Sequence, residues 1–461
     1  MRTIRIGSGA GYGGDRIEPA IDLIRRGDLD YIIFECLAER TVSSAQTRRR
    51  QNPELGYNDL FDYRFTRILD ALVDLRTENK RAPRIVTNMG AANPTAAAKR
   101  CLAMARERDL AGLKIVCVTG DDKTDELDHY LGMTTIETGA PLSDIDGEVL
   151  SANGYIGCAG IVEALDRGAD IVITGRVADP SLALGPLVHE FGWSMDDYTR
   201  LGRGTWVGHL LECAGQVCGG YFADPGHKEV PDLWNLGFPI IEVDEEGNGV
   251  ITKLPGTGGL VSVATVQEQT LYEIQNPHTY FTPDVVADFS QVRIEQEAEN
   301  RVKIHGADGA APNGFFKTSV GYHDCFIGEG QISYGGENAL AKAELARDVL
   351  EHRFEIIGLE AEEVRFDYIG FNSLYGDAIS HAIRETSGPG VGAPIEIRLR
   401  VAARTKTAEM AHEVGREVEA LYTNGPAGGG GATASVRDII SIASILIPSS
   451  DFTIGVELLE A

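Results

Sequence analysis

The stretch richest in reactive side chains is Gly208-His209-Leu210-Leu211-Glu212-Cys213-Ala214-Gly215-Gln216-Val217-Cys218-Gly219-Gly220. On a helix His209, Glu212 and Cys213 fall at i, i+3 and i+4 and share a face, which Gln216 continues. A histidine held by a carboxylate is an oriented general base. His209 beside Cys213 is also the makings of a thiolate nucleophile, which requires a depressed thiol pKa. The alternative is a core helix with one satisfied histidine. The second histidine of an HExxH metalloprotease is missing, and there is no GxSxG elbow for a serine hydrolase.

A second group of reactive residues follows short apolar runs. Leu37-Ala38-Glu39-Arg40-Thr41 comes after Tyr31–Glu35, and Asn88 with Asn93-Pro94 after the run that begins at Arg84. Gly120-Asp121-Asp122 comes after Lys114–Thr119, and Gly175-Arg176 with Asp179-Pro180 after Asp170–Thr174. Arg176 reads as the clamp for a carboxylate or phosphate, because its fork is bidentate. Asp15, Glu39, Asp121 and Asp122 are acid or base candidates; two or three of them are alternatively oxygen ligands for a divalent cation, which the spacing does not specify. The bland reading makes these residues turn formers and helix N-caps, Asn93-Pro94 and Asp179-Pro180 above all.

Glycine loops supply the remaining candidates. Gly7-Ser8-Gly9-Ala10-Gly11-Tyr12-Gly13-Gly14-Asp15-Arg16 lies between a strand and a helix, where backbone N–H groups of residues such as Gly11 approach an anion. GxGxxG spacing is present, and Glu35 lies at the distance of a ribose-binding acid. Asp15, however, would repel a pyrophosphate. A polar-substrate or anion site is therefore favoured over a nicotinamide, flavin or other nucleotide site, with a purely structural turn as the remaining alternative. Lys253-Leu254-Pro255-Gly256-Thr257-Gly258-Gly259 would cradle an anion through Lys253 and Thr257, but lacks the GK[ST] of a P-loop. The run Gly425-Pro426-Ala427-Gly428-Gly429-Gly430-Gly431 suits close approach to a ligand or another subunit at Gly428 and Gly429, or else a flexible loop.

Parallel strands are the elements that would bring the strand-end residues together. Ile4–Gly7, Tyr31–Glu35, Arg84–Asn88, Lys114–Thr119 and Asp170–Thr174 alternate with helical patterns at Arg16–Arg26, Asn58–Arg76, Thr95–Asp109 and Cys158–Arg167. Near-continuous apolar strands joined by helices predict a doubly wound, mostly parallel, Rossmann-like sheet, whose ligands sit at the carboxyl ends of the strands. Beyond residue 230 the pattern changes. Strands are expected at Pro239–Val243, Gly249–Lys253, Val261–Thr265, Thr318–Asp324, Gln331–Ser333, Glu363–Tyr368 and Ile395–Ala402. Helices are expected at Asn338–Phe354 and Lys406–Leu421, and two apolar runs, Ile442–Ile447 and Phe452–Leu458, close the chain. The expectation is an α/β domain over 1–230 and an α+β domain of split-βαβ character over 231–461.

Composition narrows the function classes. The 69 acidic residues exceed the 42 basic ones, a formal charge of −27, which argues against nucleic acid and anionic lipid as partners. No stretch approaches the ~20 apolar residues of a membrane span, and no signal-peptide core follows Met1, so a cytoplasmic protein is expected. The seven cysteines form no CxxC pair and read as reduced, buried thiols. Glycine is in excess, at 54 of 461 residues against a usual ~7%.

Taken together these motifs resemble the acyclic terpene utilisation protein A family. The resemblance is carried by Gly9-Ala10-Gly11 with Asp15-Arg16, Leu37-Ala38-Glu39-Arg40-Thr41, Thr87-Asn88 with Asn93-Pro94, and Gly120-Asp121-Asp122. Ile173-Thr174-Gly175-Arg176, Gly208-His209-Leu210-Leu211-Glu212-Cys213, and Gln216 with Gly219-Gly220-Tyr221-Phe222 extend it. So do Thr265-Val266 with Gln269 and Tyr272-Glu273-Ile274, Tyr280 with Thr282-Pro283-Asp284-Val285, and Asn424-Gly425-Pro426-Ala427-Gly428-Gly429-Gly430. The resemblance implies a place in the breakdown of acyclic terpenes such as citronellol and geraniol, beside acyl-CoA enzymes. Many members carry an additional C-terminal module of ferredoxin-like fold, which on this reading is missing here or is a separate polypeptide. The expected function is a lyase or hydratase-type reaction on a branched hydroxy acid or its CoA thioester. His209 or Glu212 would be the base, Asp121 or Asp122 the acid, and Arg176 the anion clamp. Expected partners are the small acid or acyl-CoA substrate, further copies of the chain, and a separate small ferredoxin-like subunit. The alternatives are a nucleotide- or NAD(P)-dependent enzyme and a non-catalytic ligand-binding subunit.

Overall fold

The computed structural model describes residues 2–386 and 394–460. Its elements alternate strand and helix from the start: β1 (Thr3–Ala10), α1 (Glu18–Arg26), β2 (Tyr31–Phe34), α2 (Glu39–Gln51), α3 (Phe61–Thr77), β3 (Arg84–Thr87), α4 (Pro94–Arg106) and β4 (Lys114–Thr119). There follow β5 (Val149–Gly154), α5 (Ala159–Asp166), β6 (Ile171–Thr174), α6 (Ser181–Phe191), α7 (Tyr198–Glu212), β7 (Pro239–Asp244), β8 (Gly249–Lys253) and α8 (Val263–Leu271). Short strands come next: β9 (Tyr280–Phe281), β10 (Val286–Asp288), β11 (Arg293–Ala298), β12 (Arg301–His305) and β13 (Asp308–Ala310). The chain ends with β14 (Phe315–Gly335), α9 (Ala339–Ile357), β15 (Glu363–Ile369), α10 (Gly376–Thr386), β16 (Glu396–Thr405), α11 (Ala408–Asn424), β17 (Gly430–Pro448) and β18 (Gly455–Glu460).

These elements form two compact units. The larger gathers Met1–Ile145, Val149–Gly321 and Ile442–Ala461; the smaller holds Asp146–Glu148 and Tyr322–Ser441. The units therefore divide the chain elsewhere than near residue 230. The reason is sheet pairing: β7 docks antiparallel on β1, and β8, β12 and β11 continue outward, so residues well beyond 230 extend the first sheet.

That sheet is mixed, with ten strands in the order β11-β12-β8-β7-β1-β2-β3-β6-β4-β18. Its centre, β1-β2-β3-β6-β4, is parallel. The central strands are apolar throughout; every residue of β2 and β6 is buried. Such strands have no solvent face and must be covered on both sides. From β1 to β4 the chain moves in one direction along the sheet, and α1, α3 and α4 pack together on one face. It then turns back to place β6 between β3 and β4, so a crossover of the same hand puts α5, with α6 and α7, on the other face. Two local expectations change. Val261–Thr265 begins helix α8, because Ser262 and Thr265 form a reciprocal capping box. Gly7 and Gly9 lie inside β1, so the turn starts only at Gly11.

In the smaller unit the strand order is β15-β16-β14-β17, with β16 antiparallel to β15 and to β14. Its core includes Ile332, Leu350, Leu399, Val401, Val414 and Val418. Gly428 and Gly429 belong to this unit, where Gly428 takes φ +78° just before β17. Among the described residues no helix is long and apolar enough to cross a membrane.

Candidate functional site

At the carboxyl ends of β1, β2 and β6 the larger unit encloses a cavity of about 790 Å³. Helix α7 delivers its reactive end to this place by unusually close packing. A side chain at Gly208 would run into the backbone of Pro180, and one at Gly11 into the backbone of Glu212 and Cys213. Glycine costs helix stability at position 208, but here it lets α7 slot against the loop after β6 while the β1 loop closes over its end. Glu212 and Cys213 are thereby set into the cavity wall.

His209 and Glu212 face each other as the helical spacing predicted, with Nδ1 to Oε1 at 2.6 Å. His209 is buried behind Glu212 and flanked by the rings of Tyr280 and Phe289 at 5.5 and 5.9 Å. Burial disfavours the imidazolium, yet the Glu212 charge and the hydrogen bond to it win, raising the His209 pKa above its ordinary value. Burial likewise pushes the Glu212 carboxyl up to about 7, against the pull of His209. Among the described residues Glu212 Oε2 has no hydrogen-bond partner. The α-helix ends at Glu212, so Cys213 is its cap and Gln216 lies in a following 3-10 turn; both line the cavity, but they do not extend the His209 face. Burial and the neighbouring Glu212 push the Cys213 thiol upward, opposite to what a thiolate nucleophile needs.

The other cavity carboxylates come from strand ends. Glu35, 9% exposed, follows β2; its Oε1 accepts from Leu37 N and from Asn88 Nδ2, both at 2.9 Å. Asn88 in turn accepts from Cys36 N at 2.8 Å, so its place is behind Glu35. Burial, together with the charge of Asp179, raises the Glu35 pKa to about 8. Glu39 opens α2 and accepts from Tyr155 Oη at 2.6 Å and Lys317 Nζ at 3.3 Å. Burial opposes its charge, but the Tyr155 hydrogen bond, its backbone, Lys317 and Arg176 hold it at about 2. Asp15 lines the cavity and accepts from Gly11 N at 2.8 Å, so the loop amide meant for a pyrophosphate already has an anion. Arg40 is exposed and outside the lining.

Several expected roles change. Arg176 is 1% exposed and reaches the cavity, but its fork is largely occupied. Nε and Nη2 donate to Val177 O at 2.9 and 2.8 Å, Nη2 also to Asp179, and Nη1 to Leu37 O. It braces the loop instead of standing free as a clamp. Asp121 lies outside the lining; its Oδ2 accepts from Arg176 N at 3.0 Å and Asn153 Nδ2 at 2.8 Å, and burial raises its pKa to about 6. Asp122 accepts from Gln46, Arg49 and Thr124. Asn93 is the N-cap of α4, accepting from Ala96 N. Lys253 Nζ donates to Thr257 O at 2.6 Å, and Thr257 Oγ1 to Leu254 O at 2.7 Å, so that turn is closed on itself, away from the cavity. Among the described residues no group of three or more His, Cys, Asp or Glu side chains is placed to hold a metal ion.

Residues not singled out for the site also line it: Tyr155, Asp179, Glu273, Tyr280 and Lys317. Burial and the Glu212 charge keep the Tyr280 hydroxyl protonated far up the pH scale. Exposed Tyr12, Tyr221, Phe281 and Phe315 border the opening.

The chain matches the acyclic terpene utilisation family protein AtuA over residues 4–458, and it belongs to that family. No curated protein and no solved structure matches it.

Proposed function

We propose that this member of the acyclic terpene utilisation family is a catabolic enzyme performing lyase or hydratase-type chemistry on a branched hydroxyacyl compound, as the CoA thioester or the parent hydroxy acid. The observation that carries the reading is the buried His209–Glu212 pair opening on the cavity with one carboxylate oxygen unpartnered. The pair takes a proton from the carbon next to a carbonyl. The resulting enolate oxygen needs a preorganised donor, and the Tyr280 hydroxyl, kept protonated in the cavity wall, supplies one.

The charge of the cavity wall favours an uncharged thioester carbonyl over a free carboxylate at the reacting end, and bears on the acyl end alone. The cavity presents Asp15, Glu35, Glu39, Asp179, Glu212 and Glu273 against Arg176 and Lys317. Arg176 is engaged with Asp179, and Lys317 with Glu39. A thioester carbonyl brings no charge to this wall, whereas a carboxylate would meet carboxylates. The same reading treats the parallel block as a doubly wound, Rossmann-like sheet with its ligand at the strand ends, and the smaller unit's β15-β16-β14-β17 order as a split βαβ layer.

The test is incubation of the purified protein with branched hydroxyacyl-CoA thioesters and with the free hydroxy acids. Water loss or C–C cleavage from the thioester, slowed by about 10²–10⁴-fold in Glu212→Gln, is the expected result. Full activity in a folded His209→Ala or Glu212→Gln protein would refute the assignment. Tyr280→Phe is expected to lose less than Glu212→Gln.

A further inference from the structure

We propose that Glu35 is the proton donor of this cavity: its carboxylic acid protonates the departing hydroxyl while the His209–Glu212 pair takes the proton from the adjacent carbon. The inference rests on the acid–base reading above and fills the role that Asp121 and Asp122, outside the cavity lining, leave open.

Geometry supports a donor at Glu35. One oxygen, Oε1, is fixed by two N–H donors, Leu37 N and Asn88 Nδ2. Among the described residues no donor reaches Oε2, and Glu35 borders the cavity, so that oxygen is the one a ligand meets. Among the described residues no cationic side chain hydrogen-bonds Glu35. The nearby Arg176 spends its fork on Leu37 O, Val177 O and Asp179. The charges acting on it are those of Asp179, which favours the protonated form, and Arg176, which opposes it more weakly. A buried carboxyl whose neighbouring carboxylate outweighs the nearest cation is held neutral, and a neutral carboxyl donates a proton.

The step balances. The C–H bond next to the thioester carbonyl breaks, and its proton goes to the His209–Glu212 pair. Its electron pair passes to the carbonyl oxygen as the enolate, and collapse of the enolate forms the C=C bond as the C–O bond to the hydroxyl breaks. The Glu35 proton joins the leaving hydroxide, giving water and a Glu35 carboxylate, and solvent returns a proton from the pair to Glu35.

Two measurements separate this inference from the reading it rests on. In D2O, branched 3-hydroxyacyl-CoA thioesters are followed for hydrogen–deuterium exchange next to the carbonyl and for loss of water. Glu35→Gln is expected to keep exchange within about tenfold of wild type and to lose elimination by about 10²-fold or more. Elimination at the wild-type rate, or equal loss of exchange and elimination in a folded variant, overturns the role of Glu35. Infrared titration of the ligand-free wild type against Glu35→Gln judges the donor without any turnover. A protonated carboxyl present at pH 7 and absent from the variant supports it; a Glu35 already ionised at pH 6 overturns it. Wild-type protein that neither exchanges nor eliminates with any thioester removes the proposed reaction, while the infrared result still decides the state of Glu35.

Discussion

Glu35 and Asp121 are held in nearly the same way. Each follows a parallel strand, and each has one carboxylate oxygen accepting from an asparagine amide and a backbone N–H: Asn88 and Leu37 for Glu35, Asn153 and Arg176 for Asp121. Burial raises both, Glu35 to about 8 and Asp121 to about 6. They differ in what lies beyond the second oxygen. Glu35 borders the cavity, whereas Asp121 is packed behind Arg176. Hydrogen-bond anchoring alone therefore does not place a carboxyl at the cavity. The separating feature is an oxygen that the protein leaves for a ligand.

The contrast is broken most strongly by paired substitutions. Glu212→Gln is expected to lower turnover of a hydroxyacyl thioester by about 10²–10⁴-fold, while Asp121→Asn stays within about tenfold, each checked by steady-state kinetics. A dead but well-folded Asp121→Asn would move the chemistry to β4. Next in size, Gly11→Ala is expected to destabilise the fold by about 1–3 kcal/mol in denaturant titrations, because its methyl meets the Glu212–Cys213 backbone. The same variant should lose activity, since it pushes α7 away from the β1 loop.

Glu35 also leaves a signature in stability. Its folded-state pKa of about 8 lies above the ordinary 4.5, so between these values the folded chain binds more protons than the unfolded one. Stability from this group is thus greatest below about pH 4.5 and falls as pH rises toward 8, by at most about 1.4 kcal/mol per pH unit. Glu35→Gln removes the penalty. Measured by chemical denaturation, the variant should gain on wild type from pH 5.5 to pH 8; a difference that does not change with pH would contradict the burial argument. The smallest effect is expected at Thr257→Val, which loses the hydrogen bond to Leu254 O and costs about 1 kcal/mol, with turnover unchanged.

Much of this was legible in the sequence. The apolar strands β1, β2, β3, β4 and β6 and the pairing of His209 with Glu212 follow from periodicity, because a strand buried on both faces and a helical i, i+3 spacing each leave a local pattern. The extension of the first sheet by β7, β8, β12 and β11 left no such pattern, since it is decided by which edge is free to pair. Asp179 illustrates the limit at the site. Its place before Pro180 reads as a helix cap, but its carboxylate goes to Arg176, three residues back. Tyr280 comes from the short β9 and Lys317 from the start of the long β14, both far along the chain, and only the fold carries them to Glu212 and Glu39. The glycine excess becomes specific at Gly11 and Gly208, where backbones meet around the end of α7.

The most direct test of the account is proton exchange next to the carbonyl of a branched 3-hydroxyacyl-CoA thioester in D2O, followed by NMR for wild type, Glu212→Gln and Asp121→Asn. Exchange is expected in the wild type, with its loss by about 10²-fold or more in Glu212→Gln and its retention within about tenfold in Asp121→Asn. Undiminished exchange in Glu212→Gln would contradict it.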